Sequence, residues 1–160
     1  MHQDGSFRMW YASGTGWVDT GQQQLEPTYV IKHGNSSDGI AWQRSSDTCI
    51  EPYGPEEAQA RPAVVRDRNG LYRMWFCYRG SRDFRDGSDA YRIGYAESDD
   101  GLAWRRDDTQ AGIEPGVEGT WDSRMQAYPA VIQLKDRLLM FYNGNGFGSD
   151  GIGCAAQDPR

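Results

Sequence analysis

Residues 36–44 read SSDGIAWQR and residues 98–106 read SDDGLAWRR. Nearly the same nine letters, written twice, make internal repetition the first question to ask of the fold. Working outward from the two copies lengthens the match. FRMWYASG (7–14) returns as YRMWFCYRG (72–80) and more loosely as LLMFYNGNG (138–146), so Met9, Met74 and Met140 recur at spacings of 65 and 66 residues. TYVIKHGN (28–35) aligns with AYRIGYAE (90–97) and with DGIGCAAQ (150–157), and QARPAVV (59–65) aligns with QAYPAVI (126–132).

The repeating segments have the character of strands. They are short, rich in Val, Ile, Tyr, Trp and Phe, and bounded by Gly, Asp and Asn. Tyr29, Ile31 and His33 alternate with Val30, Lys32 and Gly34, the period of two that a strand requires. Four antiparallel strands in about 65 residues match one blade of a β-propeller. The repeat therefore predicts an all-β chain, a partial propeller of about two and a half four-stranded blades in a single domain over 1–160. Strands are expected at 7–12, 29–35 and 41–44 (a partial blade, 7–44), at 61–66, 72–78, 91–98 and 103–106 (a complete blade, 61–106), and at 127–134, 138–143 and 151–157 (a partial blade, 127–157). The opening motif becomes the turn between third and fourth strands. Asp38 or Asp100 accepts hydrogen bonds from turn amides, Gly39 or Gly101 takes the left-handed position, and Trp42 and Trp104 pack between sheets.

A propeller ring needs at least four blades, so an open arc leaves apolar faces bare. Completion by self-association is expected, with a two-fold homodimer as the simplest form. Two copies make either a five-bladed ring with an imperfect shared blade or six blades, some of them three-stranded. Composition narrows the partners. The 160 residues carry a formal charge of −6 with acids and bases interspersed, which excludes the basic face that nucleic acid demands. No apolar stretch approaches membrane-spanning length. Cys49, Cys77 and Cys154 are too few and too scattered for a disulfide framework or a zinc site, which points to free thiols in a reducing cytoplasm. No metal or cofactor is expected. Cys77 and Cys154 are expected in the core, with His33 packed on a strand face.

Antiparallel parity places every long connection (13–28, 45–60, 79–90, 107–126 and 144–150) at one end of the strands. Long loops on a rigid scaffold are the usual seat of binding. On that end the sequence collects Trp17, Glu56, Glu57, Gln59, Arg61, Arg79, Arg82, Asp83, Arg85, Asp86, Trp121, Asp122, Arg124, Gln126, Tyr128, Asn143, Asn145 and Phe147. Carboxylates, amides and arginines beside flat rings suit a sugar, whose hydroxyls need bidentate partners and whose C–H face stacks on an aromatic ring. Trp17, Gln59, Arg61, Arg79, Asp83, Arg85, Gln126, Tyr128, Asn143 and Asn145 are the candidate sugar-binding residues, and Glu57 and Asp122 the candidate catalytic carboxyls. Arg82, Asp86 and Asp89 read more simply as solvated ion pairs. Gln59 with Arg61, and Gln126 with Tyr128, recur at one strand position, and hydrogen bonding between blades is the plain alternative for them.

YRMWFCYRGSRDFRDGSDAYRIGYAESDDGLAWRRDD (72–108) and GTWDSRMQAYPAVIQLKDRLLMFYNGNGFGSDGIGCA (119–155) resemble five-bladed propeller proteins related to glycoside hydrolases, the arabinanase-like, fructosidase-like and mannoside-phosphorylase-like group. The resemblance covers nearly the whole chain but corresponds only to the C-terminal half of such proteins. It implies carbohydrate as the ligand class. Enzymes of the group set a carboxylate on an early blade opposite a later general acid, and glycoside cleavage needs both. The early blades have no counterpart here, so the expectation divides between a carbohydrate-binding or glycoside-processing fragment and a non-catalytic module for protein association. The SSDG and SDDG turns also resemble the Asp-box of sialidases. That kinship is the weaker one, since Arg61, Arg79 and Arg124 imitate an arginine triad only loosely.

Overall fold

A computed structural model describes residues 1–3, 5–21, 24–85 and 87–157. Eleven strands form three antiparallel sheets among these residues. The first sheet runs β1 (His2–Gln3), β2 (Ser6–Asp19), β3 (Leu25–Ser36), β4 (Gln43–Arg44); the second runs β5 (Ala58–Arg66), β6 (Tyr72–Arg79), β7 (Arg92–Ser98), β8 (Arg105–Arg106). The third has three strands, β9 (Ala127–Gln133), β10 (Leu138–Asn143) and β11 (Ile152–Gln157), with β10 in the middle.

Two expectations change at the start of the chain. The first sheet has four strands, because His2–Gln3 pairs with Ser6–Phe7. The segment 13–28 is mostly hairpin: β2 and β3 stay paired out to Asp19 and Leu25, with one irregularity between Gly14 and Gly16. Gly and Pro there carry little strand propensity, and the ladder of backbone hydrogen bonds overrides it.

The repeated turn has the chemistry that its letters dictate. Ser36 Oγ accepts from Gly39 N at 2.9 Å, and Asp38 Oδ1 accepts from Ile40 N and Ala41 N at 2.8 Å each. In the second copy Ser98 Oγ accepts from Gly101 N at 2.8 Å, and Asp100 Oδ1 from Leu102 N at 2.8 Å and Ala103 N at 3.0 Å. Gly39 and Gly101 have φ of 73° and 77°, where a side chain is strained. Each tryptophan folds back on its turn, Trp42 Nε1 donating to Gly39 O and Trp104 Nε1 to Gly101 O. The second turn does one thing more. Trp10 of the first sheet donates to the same Gly101 carbonyl at 3.0 Å, and Arg8 Nη1 donates to Asp100 O at 2.6 Å. Gly101 O thus receives two indoles, whereas Gly39 O receives one among the described residues.

Alternation along β6 builds the core. Met74 and Phe76 face the first sheet, beside Ile31, Ile50, Trp10 and Trp104. Trp75 faces the third sheet, with Leu138, Met140 and Tyr142. A third cluster, of Cys77, Phe84, Tyr91, Met125 and Ala127, lies toward the long-loop end. Burial pushes the Cys49 and Cys77 thiols up to about 12, so neither is a nucleophile. Cys154 is exposed and not in the core. Its position in β11 pairs with Phe141, on the sheet face turned away from the second sheet. Phe141 (39% exposed) and Ile152 (72% exposed) share this uncovered apolar face with Ala130 and Ile132. His33 is half-buried on β3 opposite Trp10. Among the described residues no helix is long and apolar enough to cross a membrane.

Candidate functional site

The two copies of Gln-Ala-X-Pro start the inner strands β5 and β9. Their glutamines point into the protein. Gln59 is fully buried and donates to Glu57 Oε1 at 2.9 Å, and Gln126 is buried and donates to Glu114 O at 2.9 Å. Gln59 bonds two residues back along its own segment and Gln126 bonds the connection that precedes β9, so neither of these side-chain bonds joins two blades. The X residues differ. Arg61 and Tyr128 have φ of 53° and 58°, and both precede proline. The left-handed region costs a non-glycine residue about 1–3 kcal/mol, and a following proline disfavours helical backbone further. Each lies in an irregular stretch of its ladder, between Ala60 and Ala63 in β5 and opposite the break between Phe141 and Asn143 in β9. Such bulges re-aim side chains.

Tyr128 is one wall of an aromatic cluster. Its ring stacks on Phe147 at 6.4 Å and 24°, and lies 5.5 Å from Tyr91, which in turn meets Phe84 edge-on at 6.3 Å. Phe147 is the third left-handed non-glycine residue among those described, with φ of 59°. It projects from the turn Asn145–Gly148 after β10. Tyr29 and Tyr91, which occupy one position of the repeat, join their hydroxyls at 2.7 Å across two sheets. Burial, then the Tyr29 hydroxyl, pushes the Tyr91 phenol far above its ordinary value; burial alone leads the smaller rise at Tyr128.

Arg79 sits behind these rings, 2% exposed. Its guanidinium donates to Gly80 O at 2.7 Å and Pro27 O at 3.0 Å and lies 3.8 Å over the Phe84 ring. No carboxylate neutralises it among the described residues.

The acids of this end are engaged elsewhere. Glu57 Oε1 accepts from Arg106 at 2.7 Å, and its Oε2 accepts from Tyr53 N at 3.2 Å. Arg106 also grips Asp108 at 2.9 Å and lies 3.7 Å over the Tyr53 ring. Asp122 is buried and accepts from the Tyr142 hydroxyl at 2.9 Å. Burial, with Asp122 as acceptor, pushes that phenol up to about 12. Glu26 pairs with Arg85 at 2.9 Å, and Glu56 with Arg82 Nε at 2.8 Å.

The structure thus gathers Tyr128, Arg79 and Phe147 together and gives Glu57, Asp122, Gln59, Gln126, Arg85, Asn143 and Asn145 other partners. Asn145 is buried, accepting from Arg124 N and Met125 N and donating to Thr120 O, and Asn143 donates to Phe147 O at 2.9 Å. Both shape loops. Asp83 is exposed on the β6–β7 connection, and Asp86 lies outside the described residues. Trp17 stands on the projecting β2–β3 hairpin, 68% exposed and apart from the aromatic cluster. The reading of loops alone passed over Tyr29 and Tyr91. Their signal was the repeat itself, where TYV and AYR align. A groove of about 450 Å³ beside the inner strands is lined by Tyr11, Arg61, Pro62 and Pro129.

No family model matches the chain. It is 40% identical over 156 residues, 97% of its length, to the uncharacterized proteins MT1551 and Rv1502 of Mycobacterium tuberculosis. The chain spans about half of those relatives, 48% of each. Among solved structures, Zg3597, a family 117 glycoside hydrolase of Zobellia galactanivorans, superposes with a TM-score of 0.73 at 18% identity, over 98% of this chain and 49% of that one. A thermostable family-43 glycoside hydrolase gives 0.70 at 18% identity over 96% and 47%. An α-L-arabinanase of Penicillium chrysogenum, complexed with arabinobiose, gives 0.56 at 12% over 99% and 56%. The three sheets have the propeller-type fold of glycoside hydrolases, present in part.

Proposed function

We propose that the chain binds carbohydrate at the long-loop end of its inner strands, on the wall formed by Tyr128 and Phe147 and backed by the buried Tyr91. The observation that carries this reading is the Tyr128–Phe147 stack, two rings held side by side by left-handed backbone at both residues. Rigid, partly exposed rings offer a flat apolar face to sugar C–H groups without an ordering cost. The likeness to glycoside hydrolase folds supports the ligand class. Binding fits better than hydrolysis, because Glu57 is held by Arg106 and Asp122 by Tyr142, and cleavage needs two carboxyl groups at a set separation. Screening the chain and its Tyr128→Ala variant on a glycan array tests the reading. Binding to at least one glycan, reduced tenfold or more in the variant, is expected. A folded wild-type chain that binds no glycan rejects it.

A second reading rests on the uncovered face of the third sheet, where Ile152, Phe141 and Ile132 are exposed side by side. There the chain is about half of a five-bladed ring, and a second copy covers this face. Sedimentation velocity distinguishes a dimer from a monomer directly.

A further inference from the structure

Arg61 is an inner-strand arginine at the loop end that the rest of the fold does not use. Arg82, Arg85 and Arg106 have carboxylate partners, and Arg79 is held by backbone carbonyls. Arg61 is exposed, and no hydrogen bond or ion pair joins it to another described residue. Its backbone is nevertheless kept left-handed before Pro62, the conformation that Tyr128 repeats before Pro129. A strained backbone under a side chain with no structural partner is the pattern of a ligand contact. A groove of about 450 Å³ runs between the inner strands here, lined by Arg61 and Pro62 from β5 and by Pro129, the residue after Tyr128, from β9. Ala60 and Tyr128 also pack on the same buried cluster around Cys77.

The local charge has a sign. Glu26, Glu56, Glu57 and Asp122 all bond to partners, while Arg61 and the buried Arg79 face no carboxylate among the described residues. Asp83 and Asp89 stay on the β6–β7 connection, where Asp89 binds the backbone of Arg82. Arg61 is therefore an exposed cation on an inner strand, with no carboxylate paired to it among the described residues, on a chain whose formal charge is −6. Resting on the carbohydrate reading, we infer that the site takes an acidic sugar, whose carboxylate docks on the Arg61 guanidinium while its ring lies on the Tyr128–Phe147 wall. A guanidinium fork matches a planar carboxylate with two parallel hydrogen bonds, which a lysine does not reproduce.

Calorimetric titration with matched pairs tests this: uronic-acid tetrasaccharides (galacturonate, glucuronate, mannuronate), each beside its carboxyl-reduced neutral counterpart. The acidic member of at least one pair is expected to bind tenfold or more tightly than the neutral one. That advantage should shrink between low salt and about 0.15 M salt. It should vanish in Arg61→Gln and in Arg61→Asn, the second variant tolerating left-handed backbone. Unchanged melting curves confirm that both variants are folded. If neutral members bind as well as acidic ones, or if the acidic preference survives both variants, the inference falls and the carbohydrate reading stands. If the folded wild-type chain binds no member of any pair, both fall.

Discussion

The buried Arg106 guanidinium ties the second sheet together. Arg106 lies on the outermost strand, yet it pairs with Glu57, which precedes the innermost one, and with Asp108 beyond its own strand. The side chain therefore ties the two edges of the sheet together beneath the Tyr53 ring. Removing one member of a buried ionic group leaves the others desolvated and unpaired, at a cost of about 3–5 kcal/mol. Arg106→Ala is expected to lower the unfolding free energy by that amount in urea titration, and Glu57→Gln by less, because Asp108 still balances the arginine. A glycosidase assay on Glu57→Gln separates this structural role from a chemical one. The sequence showed Glu57 as a carboxylate on the correct end, but not its partner 49 residues away.

The two repeated turns act as independent elements with the same titration. Backbone hydrogen bonds from Ile40 and Ala41, then the Ser36 hydroxyl, hold the Asp38 carboxyl below its ordinary 3.8. Leu102, Ala103 and Ser98 do the same for Asp100. A carboxyl lowered on folding contributes stability that is full above the unfolded value and is lost as pH falls through the folded one. The melting temperature is therefore expected to fall as pH drops below about 4, and more shallowly in an Asp38→Asn, Asp100→Asn double variant, as scanning calorimetry from pH 6 to 2.5 will read. These turns were legible because their chemistry is local: a serine, an aspartate and a glycine within four residues. The strands around them were legible because alternation is local too. The β2–β3 extension was hidden, since Gly14, Gly16 and Pro27 join a ladder only through their partners on the other arm of the hairpin, Tyr29, Thr28 and Trp17. Cys154 was misplaced for a related reason. Sequence gives the period of β11 but not which of its faces meets the second sheet.

At the scale of the molecule, three sheets stack in order and two seams hold them, one on each side of β6. The site is less legible than the fold, because a channel is lined from several sheets at once. Gln59 and Gln126 recur as conspicuously as Arg61 and Tyr128, and only the backbone angles separate the buried ties from the strained pair. Self-association carries its own prediction from the seam between the first and second sheets. There the Gly101 carbonyl is doubly occupied, once from its own turn and once by the indole of Trp10 across the seam. The corresponding residue of the second sheet is Trp75, and that of the third is Phe141, which has no N–H to offer. A head-to-tail contact between copies would set Phe141 against the turn at Gly39. Phe141→Trp supplies the missing donor and is expected to tighten dimerisation about fivefold in sedimentation equilibrium, a gain on the order of 1 kcal/mol for one hydrogen bond. An unaltered association constant would place the contact elsewhere.

Among the described residues the Gly39 carbonyl receives one indole and so keeps a lone pair for a second donor. An N–H held there as Trp10 is held at Gly101 would fill it, which makes this turn a direction-sensing mark on an otherwise repetitive edge.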